Sequence, residues 1–139
     1  MIPIRGLDHI VLRVRDIETM VAFYRDVLGC PVEKIQEDLG LWQLRAGDAL
    51  IDFAPVDGQI GKAGGAAPGD DALNMDHFCL LVEPWDEPAI RAQLDAHGVH
   101  AGETADRYGA TGYGPSIYLD DPEGNVVELK GPSTVQPAA

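Results

Sequence analysis

Two histidines and two carboxylates stand where strand-like segments would turn them the same way, and they are the chemistry this chain offers first. His9 opens the alternating run Ile10-Val11-Leu12-Arg13-Val14, and His77 opens Phe78-Cys79-Leu80-Leu81-Val82. Successive side chains of a strand face opposite ways. Ile10, Leu12 and Val14 therefore share one face and His9 takes the other, as Phe78, Leu80 and Val82 oppose His77. The same parity sets Ile51 and Phe53 against Asp52, and Val127 and Leu129 against Glu128. All four polar side chains fall on one type of face, away from the side on which a helix would pack.

Neutral imidazole nitrogens with anionic carboxylate oxygens make a mixed donor set for a borderline divalent ion. His9, Asp52, His77 and Glu128 are the candidate metal ligands, one on each of four strands, with an open position for water or substrate. A lone strand histidine is ordinarily a hydrogen-bonded or surface residue; here the agreement of parity and repeat position sets the group apart. Asp52, with its shorter side chain, reaches least far. Without a metal, two close carboxylates raise each other's pKa, so Glu128 and Asp52 are also candidate acid and base. Tyr118 shares the outward face, where it would donate a hydrogen bond to a bound oxygen or line the cavity. Arg107, in a glycine-rich stretch, is the candidate contact for an anionic substrate. Cys79 has the parity of His77, and Trp42 and Trp85 read as packing residues.

The elements that must position these residues come as a repeat. Gly6-Leu7-Asp8-His9-Ile10-Val11-Leu12-Arg13-Val14 returns as Asn74-Met75-Asp76-His77-Phe78-Cys79-Leu80-Leu81-Val82, each copy carrying Asp-His before alternating apolar residues. This predicts an α+β domain over 1–139 built of two βαβββ modules, 6–55 and 74–131, joined by a Gly/Pro-rich linker, 56–73. In the first module, strand 7–15 leads to a helix over 17–28, capped by Asp16 and stopped by Gly29, then to strands 32–37, 41–46 and 49–54. In the second, a strand from Met75 precedes a helix over 87–97 with Pro88 in its first turn and Gly98 at its end. A short strand 99–103, a hairpin or lid at 106–115, strands 116–119 and 126–130 around the turn 120–125, and a frayed tail 132–139 complete the reading. If the modules close into one curved, partly open mixed sheet, the four candidate ligands converge.

With 23 acidic against 10 basic side chains the formal charge is -13, which repels phosphate backbones and excludes nucleic acid as the expected partner. No apolar run approaches the length of a membrane span, and no secretory block precedes the first strand, so the cytoplasm is the expected location and no membrane is involved. Cys30 and Cys79 form neither a CxxC nor a disulfide framework and read as buried thiols in a reducing compartment. Gly61, Gly64 and Gly65 lack the Lys and Ser/Thr of a phosphate-binding loop.

Gly6 to Asp16, followed by Phe23-Tyr24-Arg25-Asp26-Val27-Leu28-Gly29, resembles the opening of the vicinal oxygen chelate superfamily, which holds glyoxalases, bleomycin and fosfomycin resistance proteins and extradiol dioxygenases. Tyr118-Leu119-Asp120-Asp121-Pro122-Glu123-Gly124-Asn125-Val126-Val127-Glu128-Leu129 resembles its ending. The resemblance implies paired βαβββ modules with a small-molecule cavity completed in a homodimer, and metal ligands at the positions of His9, Asp52, His77 and Glu128. Glyoxalase-like members more often carry Glu at the position of Asp52, a departure that weakens the case for a lactoylglutathione lyase. The leading expectation is a glyoxalase-like lyase or isomerase acting on a small substrate with vicinal oxygens, using Ni, Co, Zn, Mn or Fe. An Fe(II) extradiol-type dioxygenase with His9, His77 and Glu128 as its triad is the alternative. The third is a non-catalytic small-molecule-binding or antibiotic-resistance protein, against which the retained ligand set argues. Arg13, Arg45 and Arg107 are the few basic residues near the site, too few for glutathione carboxylates.

Overall fold

Apolar alternation and helix caps account for most elements of the computed structural model, which describes residues 1–134. Two compact units make up the chain, Met1–Asn74 and the part from Met75 onward. In the first, β1 (His9–Val14), α1 (Ile17–Ala22), β2 (Val32–Gln36), β3 (Leu41–Ala46) and β4 (Ala49–Pro55) give a sheet of order β1-β4-β3-β2. β1 runs parallel to β4 and the other pairs are antiparallel. Asp16 caps α1, its carboxylate accepting from the Thr19 backbone at 3.1 Å and the Thr19 hydroxyl at 2.8 Å. The expected unbroken helix over 17–28 is corrected at Phe23, where α geometry gives way to a π turn, Phe23–Val27. Leu28 N–H bonds back five residues to Phe23 at 3.3 Å, and the wide turn still buries Phe23, Tyr24 and Val27. The Tyr24 ring meets Phe53 edge-on, with centroids 4.9 Å apart, over a core of Leu12, Val14, Met20, Leu44 and Ile51. The linker is held rather than loose. The Arg13 guanidinium donates to the carbonyls of Gly61, Gly64, Gly65 and Ala66 at 2.7–3.2 Å. Gly61 is required there, since a Cβ would stand 1.9 Å from the Pro55 oxygen.

The second unit repeats the plan with β5 (Phe78–Leu81), α2 (Glu87–Ala96), β6 (Ala105–Gly109), β7 (Gly112–Asp120) and β8 (Val126–Lys130), in the order β5-β8-β7-β6. β5 is parallel to β8 and the rest are antiparallel. The protein is therefore α+β, with βαβββ modules and two open mixed sheets among the described residues. Asp86 caps α2 by accepting from Ala89 N–H at 3.1 Å. Val99–Glu103 is not a strand; only Ala101 bridges to Leu119. The strand lies beyond it, because β7 begins as early as Gly112 and its first half offers β6 a ladder, from Ala105 opposite Ser116 to Gly109 opposite Gly112. The glycine-rich stretch is thus a hairpin, turned with Gly112 at φ 100°. Asp121 closes the next turn by accepting from the backbones of Glu123 and Asn125. Of the expected frayed tail, 135–139 lies outside the described residues, while Thr134 N–H is fastened to the Tyr113 carbonyl at 3.1 Å. Among the described residues no helix is long and apolar enough to cross a membrane.

Candidate functional site: two histidine–carboxylate pairs

In the first unit the ladder sets Val11, Asp52 and Gln43 side by side across β1, β4 and β3. Directly opposed residues point to the same face, so Asp52 projects away from the core that Ile51 and Phe53 enter. Asp52 is 1% exposed. Its Oδ2 accepts from Gln43 Nε2 at 3.1 Å, and Gln43 Oε1 in turn accepts from Gln36 Nε2 at 2.8 Å. Asp52 Oδ1 is buried with no hydrogen-bond partner among the described residues. Burial pushes the carboxyl up from its ordinary range, while the Gln43 bond and the His9 charge pull it partly back. His9 Nδ1 lies 2.6 Å from Asp8 Oδ1, and that bond, with the Asp52 charge behind it, raises the imidazole pKa.

The second unit sets Cys79, Glu128 and Tyr118 side by side across β5, β8 and β7. The Cys79 thiol donates to Glu128 Oε2 at 3.0 Å, and the Tyr118 hydroxyl also hydrogen-bonds to this carboxylate. Burial opposes ionisation of Glu128. The bonds from Cys79 and Tyr118, aided by the charges of His77 and Arg107, outweigh it and hold the carboxyl below its ordinary range. The donors shift the other way: the bond to Glu128 raises the Tyr118 pKa, and burial plus the same carboxylate push the Cys79 thiol up to about 12. His77 Nε2 stands 3.8 Å from Glu128 Oε1, its Nδ1 lies 2.5 Å from Asp76 Oδ2, and its ring meets Tyr118 edge-on with centroids 5.5 Å apart. Arg107 is on β6 rather than in a loop, its guanidinium 4.5 Å from the Tyr118 ring centroid. Its Nη1 donates to the Ser116 carbonyl at 2.8 Å and to the Ser116 hydroxyl at 3.1 Å.

Sequence parity thus places each histidine and carboxylate on the expected face. It missed Gln43, Ser116, Asp8 and Asp76; the twice-repeated Asp-His was the signal for the last two. The reading of both thiols as buried is corrected at Cys79, which sits at an exposed β5 position, while Cys30 is buried and its thiol pushed up by burial. Trp42 is half-buried, and Trp85 lies against Gly131.

Each unit holds one pair, His9 with Asp52 and His77 with Glu128; among the described residues no three His, Cys, Asp or Glu side chains gather as a metal-holding group. The pairs themselves fit a divalent ion. In both histidines Nδ1 is taken by the preceding aspartate, which leaves Nε2 as the donor atom and fixes the ring. The buried, partnerless Asp52 Oδ1 asks for a cation, and the 3.8 Å between His77 and Glu128 lies within the span of two ordinary bonds to one ion.

Residues 6–129 match the model of the Glyoxalase/Bleomycin resistance protein/Dioxygenase superfamily. The chain belongs to that superfamily. Within it, virulence protein STM3117 of Salmonella typhimurium is 30% identical over 129 residues, which is 88% of this chain and 81% of that protein. The crystal structure of the same virulence protein superposes with a TM-score of 0.78 at 26% identity, over 96% of this chain and 100% of that one. The integron cassette protein VCH_CASS1 from the mobile metagenome of V. cholerae gives 0.77 at 25% identity, over 96% and 99%. The superfamily contains both enzymes and non-catalytic members, so membership fixes the fold and not the reaction.

Proposed function

We propose that the protein is a metal-dependent lyase or isomerase of glyoxalase type, acting on a small substrate with vicinal oxygens. The observation that carries this reading is Asp52, a buried carboxylate with one oxygen that has no partner among the described residues. Such an oxygen is costly unless a cation meets it. His9, Asp52, His77 and Glu128 would hold the ion, which when bound supplies Lewis-acid polarisation of the substrate oxygens. Ni, Co, Zn, Mn and Fe all suit this donor set.

The chain's own groups divide the remaining work. Asp8 and Asp76 orient the two imidazoles. Cys79 and Tyr118 keep Glu128 ionised and aimed. Asp52, steadied by a single amide donor, is the looser carboxylate and accepts the proton from the carbon beside a substrate carbonyl. An Fe(II) triad of His9, His77 and Glu128 would leave the Asp52 oxygen unexplained. The other two histidines offer no acid–base group on this face, since His97 ends α2 and His100 follows it, both exposed. A homodimer fits the exposed apolar residues Met1, Ile2, Ile4 and Leu7 and the exposed Val11 of β1. Two free thiols suit a reducing cytoplasm.

The test is turnover of hemithioacetal adducts of 2-oxoaldehydes by protein reconstituted with each metal in turn. Metal-dependent turnover that falls about 100-fold or more in Asp52→Asn supports the reading. Oxygen uptake with catechols by the iron form would move the protein to the dioxygenases, and failure to take up any metal would leave a binding protein.

A further inference from the structure

Asp52 takes its hydrogen-bonded placement from one side chain. Its neighbours across the ladder are Val11, which carries no side-chain donor, and Gln43, whose Nε2 donates to Oδ2 at 3.1 Å. Oδ1 has no partner among the described residues. An ionised carboxylate only accepts, so Gln43 must turn the nitrogen end of its amide toward Asp52. A carboxamide keeps nearly the same shape when its two ends are exchanged. The exchanged form would set Gln43 Oε1 against Asp52 Oδ2, acceptor against acceptor, and leave the buried carboxylate with no donor.

Gln36 supplies what tells the two ends apart. Its Nε2 donates to Gln43 Oε1 at 2.8 Å. Register makes the contact possible: Lys34 stands opposite Gln43 on the β2–β3 ladder, and Gln36, two positions along β2, shares that face on the diagonal. Lys34 is exposed, whereas Gln36 and Gln43 are both half-buried. The donors thus run one way, from Gln36 on the outer strand of the sheet through Gln43 on β3 to Asp52 on β4, and each bond in such a chain polarises the next. Glu128 needs no such arrangement, because its donors are a thiol and a phenol, which have no wrong end to present.

We propose that Gln36 is a positioning residue for Asp52: by donating to Gln43 it holds the nitrogen end of that amide on Oδ2, and so leaves Oδ1 as the one oxygen offered to a cation. This rests on the reading of Asp52 as a metal ligand. The isosteric change Gln36→Glu separates the role from that of charge. A glutamate has no donor for Gln43 Oε1, so Gln43 turns its nitrogen to the new carboxylate and its oxygen to Asp52. Charge alone works the other way, since an added anion on this face draws a cation in.

The experiment follows the two Gln43 carboxamide protons by NMR in metal-free protein, assigned from their absence in Gln43→Leu, and then measures Zn(II) affinity by competition with a chromogenic chelator. In wild type the proton donated to Asp52 is expected well separated from its geminal partner. The separation should collapse in Gln36→Glu and in the neutral Gln36→Met, and survive in Gln36→Lys, which keeps a donor. Zn(II) affinity should fall about tenfold in Gln36→Glu. It should hold or rise in Lys34→Gln, which makes the same change of net charge on the same strand face without touching the amides. A Gln43 proton pair unmoved by Gln36→Glu, or Zn(II) held by that variant as tightly as by wild type or more so, overturns the positioning role. Collapse of the separation in a protein that binds no Zn(II) would leave the amide chain standing and sink the metal reading. Tight Zn(II) binding with the proton pair unmoved would do the reverse.

Discussion

The two units use one ladder to different ends. Val11, Asp52 and Gln43 in the first correspond to Cys79, Glu128 and Tyr118 in the second, each trio reading across the first, last and third strand of its module. On the first side the carboxylate has an alkyl neighbour and one amide donor, and its other oxygen meets no partner among the described residues. On the second it has a thiol and a phenol, and its ionised form is favoured despite burial. The frame is the same in both units, and the residues flanking the carboxylate decide whether burial or hydrogen bonding sets its charge. A carboxylate held by two donors is suited to stay put, and one held by a single amide is suited to give and take a proton.

The largest expected effect removes a pair outright. Glu128→Ala and His77→Ala should each lower metal affinity about 100-fold or more, measured by competition with a chromogenic chelator. If Asp52→Ala did nothing in the same assay, the first unit would be no half-site at all. A smaller loss, about tenfold each, is expected from Asp8→Asn and Asp76→Asn, which free the imidazole rings without deleting a ligand.

Stability against pH sharpens the contrast, because the two carboxylates should respond with opposite sign. The folded-state pKa of Asp52 is raised, so its contribution favours folding below the ordinary aspartate range and is lost as pH rises through the raised value. Asp52→Asn should therefore stabilise the metal-free protein by about 1 kcal/mol at pH 7 in urea melts, an advantage that vanishes near pH 3. Glu128 is depressed, so its contribution is present above the ordinary glutamate range and is lost as pH falls through the lowered value. Glu128→Gln should destabilise by about 1–2 kcal/mol at pH 7 and converge with wild type in acid. Equal signs for the two variants would refute the contrast. The smallest effect belongs to the donors: Tyr118→Phe should cost about 1 kcal/mol or less and raise the titration midpoint of Glu128, followed by carbonyl-carbon NMR.

Side-chain alternation carried most of what the sequence could reveal. Asp52 and Glu128 betray their face because apolar neighbours on both sides leave only one parity for the core, and His9 and His77 because the apolar residues at alternate positions after them do the same. The partners of those residues depend on register across strands distant in sequence, which alternation within one strand does not encode. Gln43 beside Asp52 and Cys79 beside Glu128 became visible only through the ladders. At β6 the reading stayed open between a hairpin and a lid for a related reason: Ala105–Gly109 carries little apolar alternation, and its pairing with the first half of β7 fixes it more than its own residues do. The π turn escaped because Phe23, Tyr24 and Val27 fit an apolar stripe under either helical period.

Elemental analysis of chelator-free protein, reconstituted and washed, tests the central claim most directly when wild type is set beside His9→Ala and His77→Ala. If the two pairs hold one ion, as proposed, about one divalent metal per chain is expected, lost in either variant whichever unit carries the change. Retention of full metal in one of the two variants, or no metal in wild type, would contradict the account.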